Sequence, residues 1–234
     1  MTRRRWIADR VEGDRAYLLD QNANHLFRVL RVKTGQEFEV VAGGELRLGT
    51  VVFASEEKVE FHLGEEFVGP ELPEVTVYLS IFKFDRLEWA LEKLTELGVA
   101  RITPVIAARS GQHLIKAAAT RLPRWRKIVH EAAQQSRRVA PLEIAAPLAL
   151  KELVAAPGNR IVLSETEESA SLKKALTSCK APLALAFGPE GGWTPDEIKM
   201  FQAAGWKAAS LGSTILRAET AAIAAVAVVF AELG

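Results

Sequence analysis

The sequence predicts an α/β protein in two parts, a small β-barrel followed by a larger domain built on a mostly parallel sheet. Three observations predict it. Residues 10–68 alternate apolar and polar side chains at the period of strands, broken by Gly43-Gly44 and other turn signals. VGPELPEV then places two prolines and a glycine in one short linker, so the boundary falls near residue 72 and the domains are 1–72 and 73–234. Beyond it strand-like and helix-like segments alternate, the pattern of a parallel sheet with covering helices.

In the first domain RAYLLD, EFEVVAGGELRLGTVVFA and KVEFHLGEEF read as strands. A helical insertion is expected at NANHLFRVLRV, where Leu26, Val29 and Leu30 share a face and Arg28 and Arg31 point outward. The second domain runs VTVYLSIF, DRLEWALEKLTELG, VARITPVIAA and TRLPRWRKIVHEAAQQSRR. It continues with PLEIAA, ALKELVAA, RIVLSE, SLKKALTS, PLALAFG, TPDEIKMFQAAG, KAASLG and RAETAAIAAVAVVFAEL. Asp85 with Glu88 and Thr194 with Glu197 have the spacing of capping boxes, and Pro195 falls where a first-turn proline loses no hydrogen bond. Gly98 and Gly205 follow amphipathic stretches, as C-terminal caps do. The last segment is apolar nearly all round, so it is buried on more than one side, at a subunit interface or wholly within its domain.

Of the 234 residues 49% are apolar and 25% charged, which excludes a disordered chain and leaves material for a sizeable core. Cys179 is the single cysteine and cannot form an internal disulfide, while His25, His62, His113 and His130 lack metal-ligand spacing. A reducing cytoplasm and no metal are expected. MTRRRWIADRVEGD starts as basic as a signal peptide, but Asp9, Arg10, Glu12 and Asp14 stand where its apolar segment would be. Ala221–Ala231, the most apolar run, is shorter than the roughly twenty residues of a membrane span. No membrane association is expected.

A net charge of +1 conceals a local imbalance. Residues 101–138 hold nine lysines and arginines against Glu131 alone, an excess of eight, whereas Glu56–Glu74 is acidic with only Lys58 in return. The basic block is either a polyanion-binding face or a solvated helix surface. Trp125 within it could stack on a base, but its spacing with Leu122, Ile128 and Val129 favours the core.

The common enzyme motifs are absent: no GxxxxGK[ST], GxGxxG after a strand, GxSxG, CxxC or HExxH. Instead the strand PLALAF runs into Gly188-Pro189-Glu190-Gly191-Gly192 and then a capped helix, which puts glycines at a strand's C-terminal end, where open α/β sheets bind ligands. Glycine there admits a ligand close to the backbone; a purely structural turn is the alternative. Glu190 would repel a phosphate, so an uncharged or cationic ligand fits better than a triphosphate. A second loop, LGSTILRAETA, leads into the last helix, and Arg217 at that helix start opposes the helix dipole. Either Arg217 is functional or it is tied by a salt bridge to Glu219 or Glu190.

GPEGG followed by LG…ILRAETA resembles the ribosomal RNA small subunit methyltransferase E family (RsmE) of the SPOUT class. ANHLFRVLRVKTGQ, KLTELGVARITPV and KIVHEAAQQSRRVAPLEI extend the resemblance over both domains. It implies a PUA-like β-barrel that binds RNA, then a SPOUT α/β domain with a deep trefoil knot, in a homodimer with each cofactor site near the interface. It implies S-adenosyl-L-methionine (SAM) as methyl donor and N3 of a uridine in small-subunit (16S) ribosomal RNA as acceptor. The cofactor pocket would be formed by Leu163, Phe187, Gly188, Pro189, Glu190, Gly191, Gly192, Leu211, Gly212, Ile215, Leu216 and Thr220. The acidic SETEES after Leu163 departs from the family pattern and leaves Ser164 and Glu165 unassigned. Arg217 would stabilise charge on the uracil carbonyls, with Glu219 as proton acceptor or orienting partner. Arg28, Arg31, Arg109, Arg124, Arg126 and Arg138 would hold RNA. Methylation of a ribose 2′-hydroxyl or of transfer RNA, and a non-catalytic RNA-binding assembly factor, are the alternatives.

Overall fold

In the computed structural model of the chain, which describes residues 5–67, 72–136, 138–139, 142–167 and 169–234, the first alternating segments form one six-stranded sheet. Its strands are β1 (Arg5–Ile7), β2 (Arg10–Glu12), β3 (Arg15–Leu19), β4 (Glu37–Ala42), β5 (Glu45–Ala54) and β6 (Lys58–Phe67), in the order β1-β4-β5-β6-β3-β2. β1 and β2 occupy opposite edges yet only Ala8 and Asp9 separate them in sequence, so the sheet curls until its edges meet. Ala8 N–H donates to Val41 O and Asp9 N–H to Tyr17 O, each at 2.9 Å, which ties the two edges together. Leu18, Val40, Val51, Val59 and Phe61 fill the inside of the curl. Gly43 and Gly44 have φ of 64° and 92°, the pair of positive angles that a two-residue hairpin between β4 and β5 requires. β1 lies ahead of the alternating stretch and is too short for a period to reveal it.

The helical insertion forms, but not with its expected face. Helix α1 (Asp20–Asn24) continues into a π-helical turn, His25–Val29, where Leu30 N–H donates to His25 O at 3.2 Å. The wider turn breaks the i, i+3 register. Leu26 therefore enters the core while Val29 is 64% exposed.

The chain divides into two compact units, Met1–Glu71 with Gln134–Pro141, and Leu72–Ala133 with Leu142–Gly234. Half of the linker read from VGPELPEV, residues 68–71, lies outside the described residues. The second unit carries strands β7 (Val75–Ser80), β8 (Arg101–Ile106), β9 (Glu143–Ile144), β10 (Leu148–Ala149), β11 (Asn159–Leu163), β12 (Leu183–Phe187) and β13 (Lys207–Ala209). They are all parallel, in the order β10-β8-β7-β12-β11-β13 with β9 beside β8. Its helices are α2 (Phe84–Leu97), α3 (Gln112–Gln135), α4 (Leu150–Leu153), α5 (Leu172–Leu176), α6 (Pro195–Ala203) and α7 (Ala218–Leu233). Successive β12 residues alternate between two cores: Leu183, Leu185 and Phe187 join residues of α2, α3, α5 and α7, whereas Ala184 and Ala186 join residues of α4 and α6. Both sheet faces are covered, and the central strand β12 is accordingly apolar and buried at every position.

Local signals held unevenly. Thr194 and Glu197 form the expected capping box with Pro195 first in α6, and Gly98 (φ 106°) and Gly205 (φ 79°) follow their helices in the left-handed conformation. The box at Asp85 and Glu88 does not form. Helix α2 begins two residues earlier than that box requires, with Lys83 as its N-cap, and Glu88 is drawn instead to Arg124. α3 begins earlier than its pattern suggests and runs through Pro123. Trp125 is fully buried and meets the Phe84 ring edge-on at 5.6 Å, which places it in the core.

Candidate cofactor site

Leu163, Phe187 and Ala209 are register partners across β12, β11 and β13, so three parallel strands end at one level. The loop after each strand rises around a cavity of about 670 Å³, counting its open mouth. The two glycine-containing loops thus flank a single pocket, with the loop after β11 on its third side.

Ten of the twelve residues expected to form a cofactor pocket line this cavity: Leu163, Phe187, Gly188, Pro189, Glu190, Gly192, Leu211, Gly212, Ile215 and Leu216. Gly191 and Thr220 are exposed and lie outside its lining. Ser164, Glu165, Ala209, Ser210, Thr214, Ala218 and Ala221 complete the wall. Glu165 and Glu190 are its charged members, and the lining contains no lysine or arginine. Such a wall repels phosphates and favours a cationic ligand. Ile215 stands 85% exposed at the rim, apolar surface available to a flat ring.

The glycine loop is held from four sides. Gly192 N–H donates to Pro189 O at 2.8 Å and closes the turn. The Arg109 guanidinium donates to Gly191 O at 2.6 Å and to Trp193 O at 3.4 Å, while Trp193 Nε1 donates to Leu163 O at 3.1 Å. The buried Glu197 carboxylate accepts from Thr194 N–H at 2.7 Å and from Ala108 N–H at 2.8 Å, which fixes α6 to the end of β8. Arg86 Nη1 contacts Glu190 Oε1 at 2.7 Å. Gly192 has φ of 68°, a left-handed conformation that favours glycine, and a Cβ there would displace the Glu165 carboxylate, the end of a flexible, exposed side chain.

Arg217 is the N-cap of α7, exposed, with no side-chain partner among the described residues. It pairs with neither Glu219 nor Glu190; Arg86 takes that place for both. Glu219 is buried at 4% exposure, its Oε1 lies 3.8 Å from Arg86 Nε, and its Oε2 has no hydrogen-bond partner among the described residues. The sequence reading missed Arg86, although it carries the signal used for Arg217: a cation in the first turn of a helix, against the dipole.

The expected RNA-binding arginines are dispersed in role. In the first unit Arg28 lies 2.6 Å from Glu56, which raises its pKa through the hydrogen bond and charge, and Arg31 is exposed at φ 50°. In the second unit Arg109 grips the glycine loop, and Arg124 faces both Glu88 oxygens at 2.9 Å. Arg126 is exposed and, like Lys116, has no ion-pair partner among the described residues. Arg138 is buried, and desolvation lowers its pKa to about 10. The block's excess is smaller in space than in sequence, because Glu88 and Glu143 come to it from outside. Among the described residues no group of acidic, histidine or cysteine side chains is arranged to hold a metal, and no helix is long and apolar enough to cross a membrane.

A parallel α/β unit with glycine loops at adjacent strand ends belongs to a definable class. The family model of the RNA methyltransferase domain matches residues 70–230, and that of the RNA methyltransferase PUA domain matches residues 18–63. Ribosomal RNA small subunit methyltransferase E of Aquifex aeolicus is 30% identical over 226 residues, covering 95% of this chain and 97% of the relative. The protein of the same name from Synechocystis sp. is 34% identical over 215 residues, covering 87% of this chain and 69% of the relative. A crystal structure of ribosomal RNA small subunit methyltransferase E from Neisseria gonorrhoeae, bound to S-adenosyl methionine, superposes with a TM-score of 0.86 at 28% identity, covering 99% of this chain and 98% of that one. The chain belongs to the ribosomal RNA small subunit methyltransferase E family.

Proposed function

We propose that the chain transfers a methyl group from SAM, held in the cavity at the ends of β11, β12 and β13, to N3 of a uridine in small-subunit ribosomal RNA. It is a SAM-dependent ribosomal RNA methyltransferase. The observation that carries the cavity assignment is the lining itself: apolar side chains and strand-end backbone for an adenine, and charged residues that are both acidic, Glu165 and the Arg86-paired Glu190, for a positively charged ligand. The residues present fit SAM, which supplies an electrophilic methyl on a sulfonium. Leu163, Leu211, Ile215 and Leu216 would enclose the adenosine, with the backbone of the glycine loop beside it.

Uridine N3 must lose its imide proton before it can act as nucleophile, and the negative charge then spreads to the flanking carbonyl oxygens. Arg217, exposed between Leu216 and Ala218 of the cavity lining and without a side-chain partner among the described residues, stabilises that charge. Glu219 offers a buried, unpartnered oxygen as proton acceptor. Holding both reactants in line supplies much of the remaining catalysis. The target base has to be unpaired or drawn from its stack to arrive there. Arg28, Arg31, Arg124 and Arg126 contact the RNA backbone, whereas the contacts of Arg109 favour a role in shaping the cofactor loop. In this reading the protein works in the cytoplasm as a homodimer. Support for a dimer comes from α7, which carries no charged residue from Thr220 to Ala231 and leaves Ile223, Ala224 and Val228 only partly buried.

N3-methylation blocks the pairing edge of uracil, so reverse transcription of the small-subunit RNA after incubation with SAM should stop beside one uridine. Read-through at every uridine, with methyl incorporated, would overturn the N3 assignment in favour of a 2′-hydroxyl.

A further inference from the structure

Arg86 is a single cation shared by two acidic residues, Glu190 in the wall of the cavity and the buried Glu219 in the first turn of α7, whose neighbours Ala218 and Ala221 line it. It enters from the first turn of α2, reaching Glu190 at 2.7 Å, 104 residues along the chain, and Glu219 at 3.8 Å. Glu190 belongs to the glycine loop and lines the cavity. Glu219 sits in the first turn of α7, two residues beyond Arg217. A cation at a helix N-terminus is not there to stabilise the helix. Nor is the buried Glu219 well placed without one, since an uncompensated carboxylate at 4% exposure is costly. Guanidinium suits the task because its rigid fork presents several donors at fixed angles, whereas an ammonium is a point charge.

We propose that Arg86 is a positioning residue of the methyl transfer. Through Glu190 it sets the glycine loop against the cofactor, and through Glu219 it sets the first turn of α7, and with it Arg217, against the acceptor base. Its two contacts therefore have separable effects, one on cofactor affinity and one on turnover. This inference rests on the assignment of the cavity to SAM.

The test combines calorimetric titration of SAM with turnover at saturating SAM on small subunits. Arg86→Gln should raise the SAM Kd about tenfold and also lower kcat, whereas Glu190→Gln should raise Kd alone. The double variant Arg86→Gln with Glu190→Gln should bind SAM no worse than Arg86→Gln, since the pair is already broken. Arg86→Lys should recover affinity through Glu190 while kcat stays low. Because Arg86→Gln strands the buried Glu219, Arg86→Gln with Glu219→Gln supplies a variant without that unpaired charge, in which the Kd defect should persist at a wild-type melting temperature. Recovery of both melting temperature and Kd in that variant, a SAM Kd for Arg86→Gln within twofold of wild type, or independent multiplication of the Arg86 and Glu190 effects would each overturn the role of Arg86. Gly192→Ala separates the underlying reading: if it binds SAM normally, the cavity assignment fails, and if it loses SAM while Arg86→Gln does not, only the Arg86 inference fails.

Discussion

Gly192→Ala perturbs one backbone position in two ways that can be measured apart. At φ 68° an alanine pays for a left-handed conformation, about 1–2 kcal/mol. In a chain of 234 residues each kcal/mol moves the melting temperature by about 2–4 °C, so a fall of about 2–8 °C is expected from strain alone. The added methyl also overlaps the carboxylate of Glu165, the end of a flexible, exposed side chain that can swing aside. That movement removes one of the two acids from the cavity wall. SAM affinity should fall at least tenfold, about 1.4 kcal/mol. In Glu165→Ala with Gly192→Ala the overlap is gone and the strain remains, so the melting temperature should recover only the steric part while SAM stays weak. Thermal melts with calorimetric titration of SAM read both quantities. A Gly192→Ala protein with wild-type melting and wild-type SAM affinity would refute the reasoning at its base.

Arg217→Ala should lower single-turnover methyl transfer about 10²–10³-fold, the loss seen when one charge-stabilising donor is removed, with SAM Kd within twofold of wild type. Arg126→Ala should reduce the slope of log K against log salt for RNA binding by about one, while Arg109→Ala should leave that slope nearly unchanged and weaken SAM, because Arg109 holds Gly191 and Trp193. Glu167 should make its own turn pH-sensitive. Hydrogen bonds from the Ser169 hydroxyl and N–H, and from Ala170 N–H, lower its pKa below 4.5, so its contribution is complete above that value and is lost as pH falls through the depressed one. Amide exchange at Ser169 and Ala170, corrected for intrinsic rates, should accelerate on acidification, and Glu167→Ala should abolish the dependence.

The architecture was legible wherever a period had length to show itself. β4 to β6 and the alternation of β7 to α7 follow from side-chain spacing, and Thr194, Glu197 and Gly98 marked helix ends because their hydrogen bonds are local. β1 was hidden by its three residues, and Val29 was misplaced because a π-helical turn abandons the spacing by which it was read. Asp85 and Glu88 had capping spacing, but Glu88 met a better partner in Arg124, 36 residues away. Most of the cavity wall was readable from the two glycine loops and the family resemblance. Glu165, Ala218 and Arg86 were not, since strand register and a contact spanning 104 residues leave no local pattern. The expectation of a trefoil knot and the methyl donor came from resemblance to a family; periodicity alone led only to a ligand pocket at strand ends.

The most direct measurement is incubation of the protein with SAM carrying a labelled methyl group and with small subunits lacking the modification, followed by digestion to nucleosides. The account predicts label in N3-methyluridine, at one equivalent per subunit or less, and its loss with Arg217→Ala. Label in a 2′-O-methyl nucleotide, label only in transfer RNA supplied alongside, or no label despite SAM binding would contradict it.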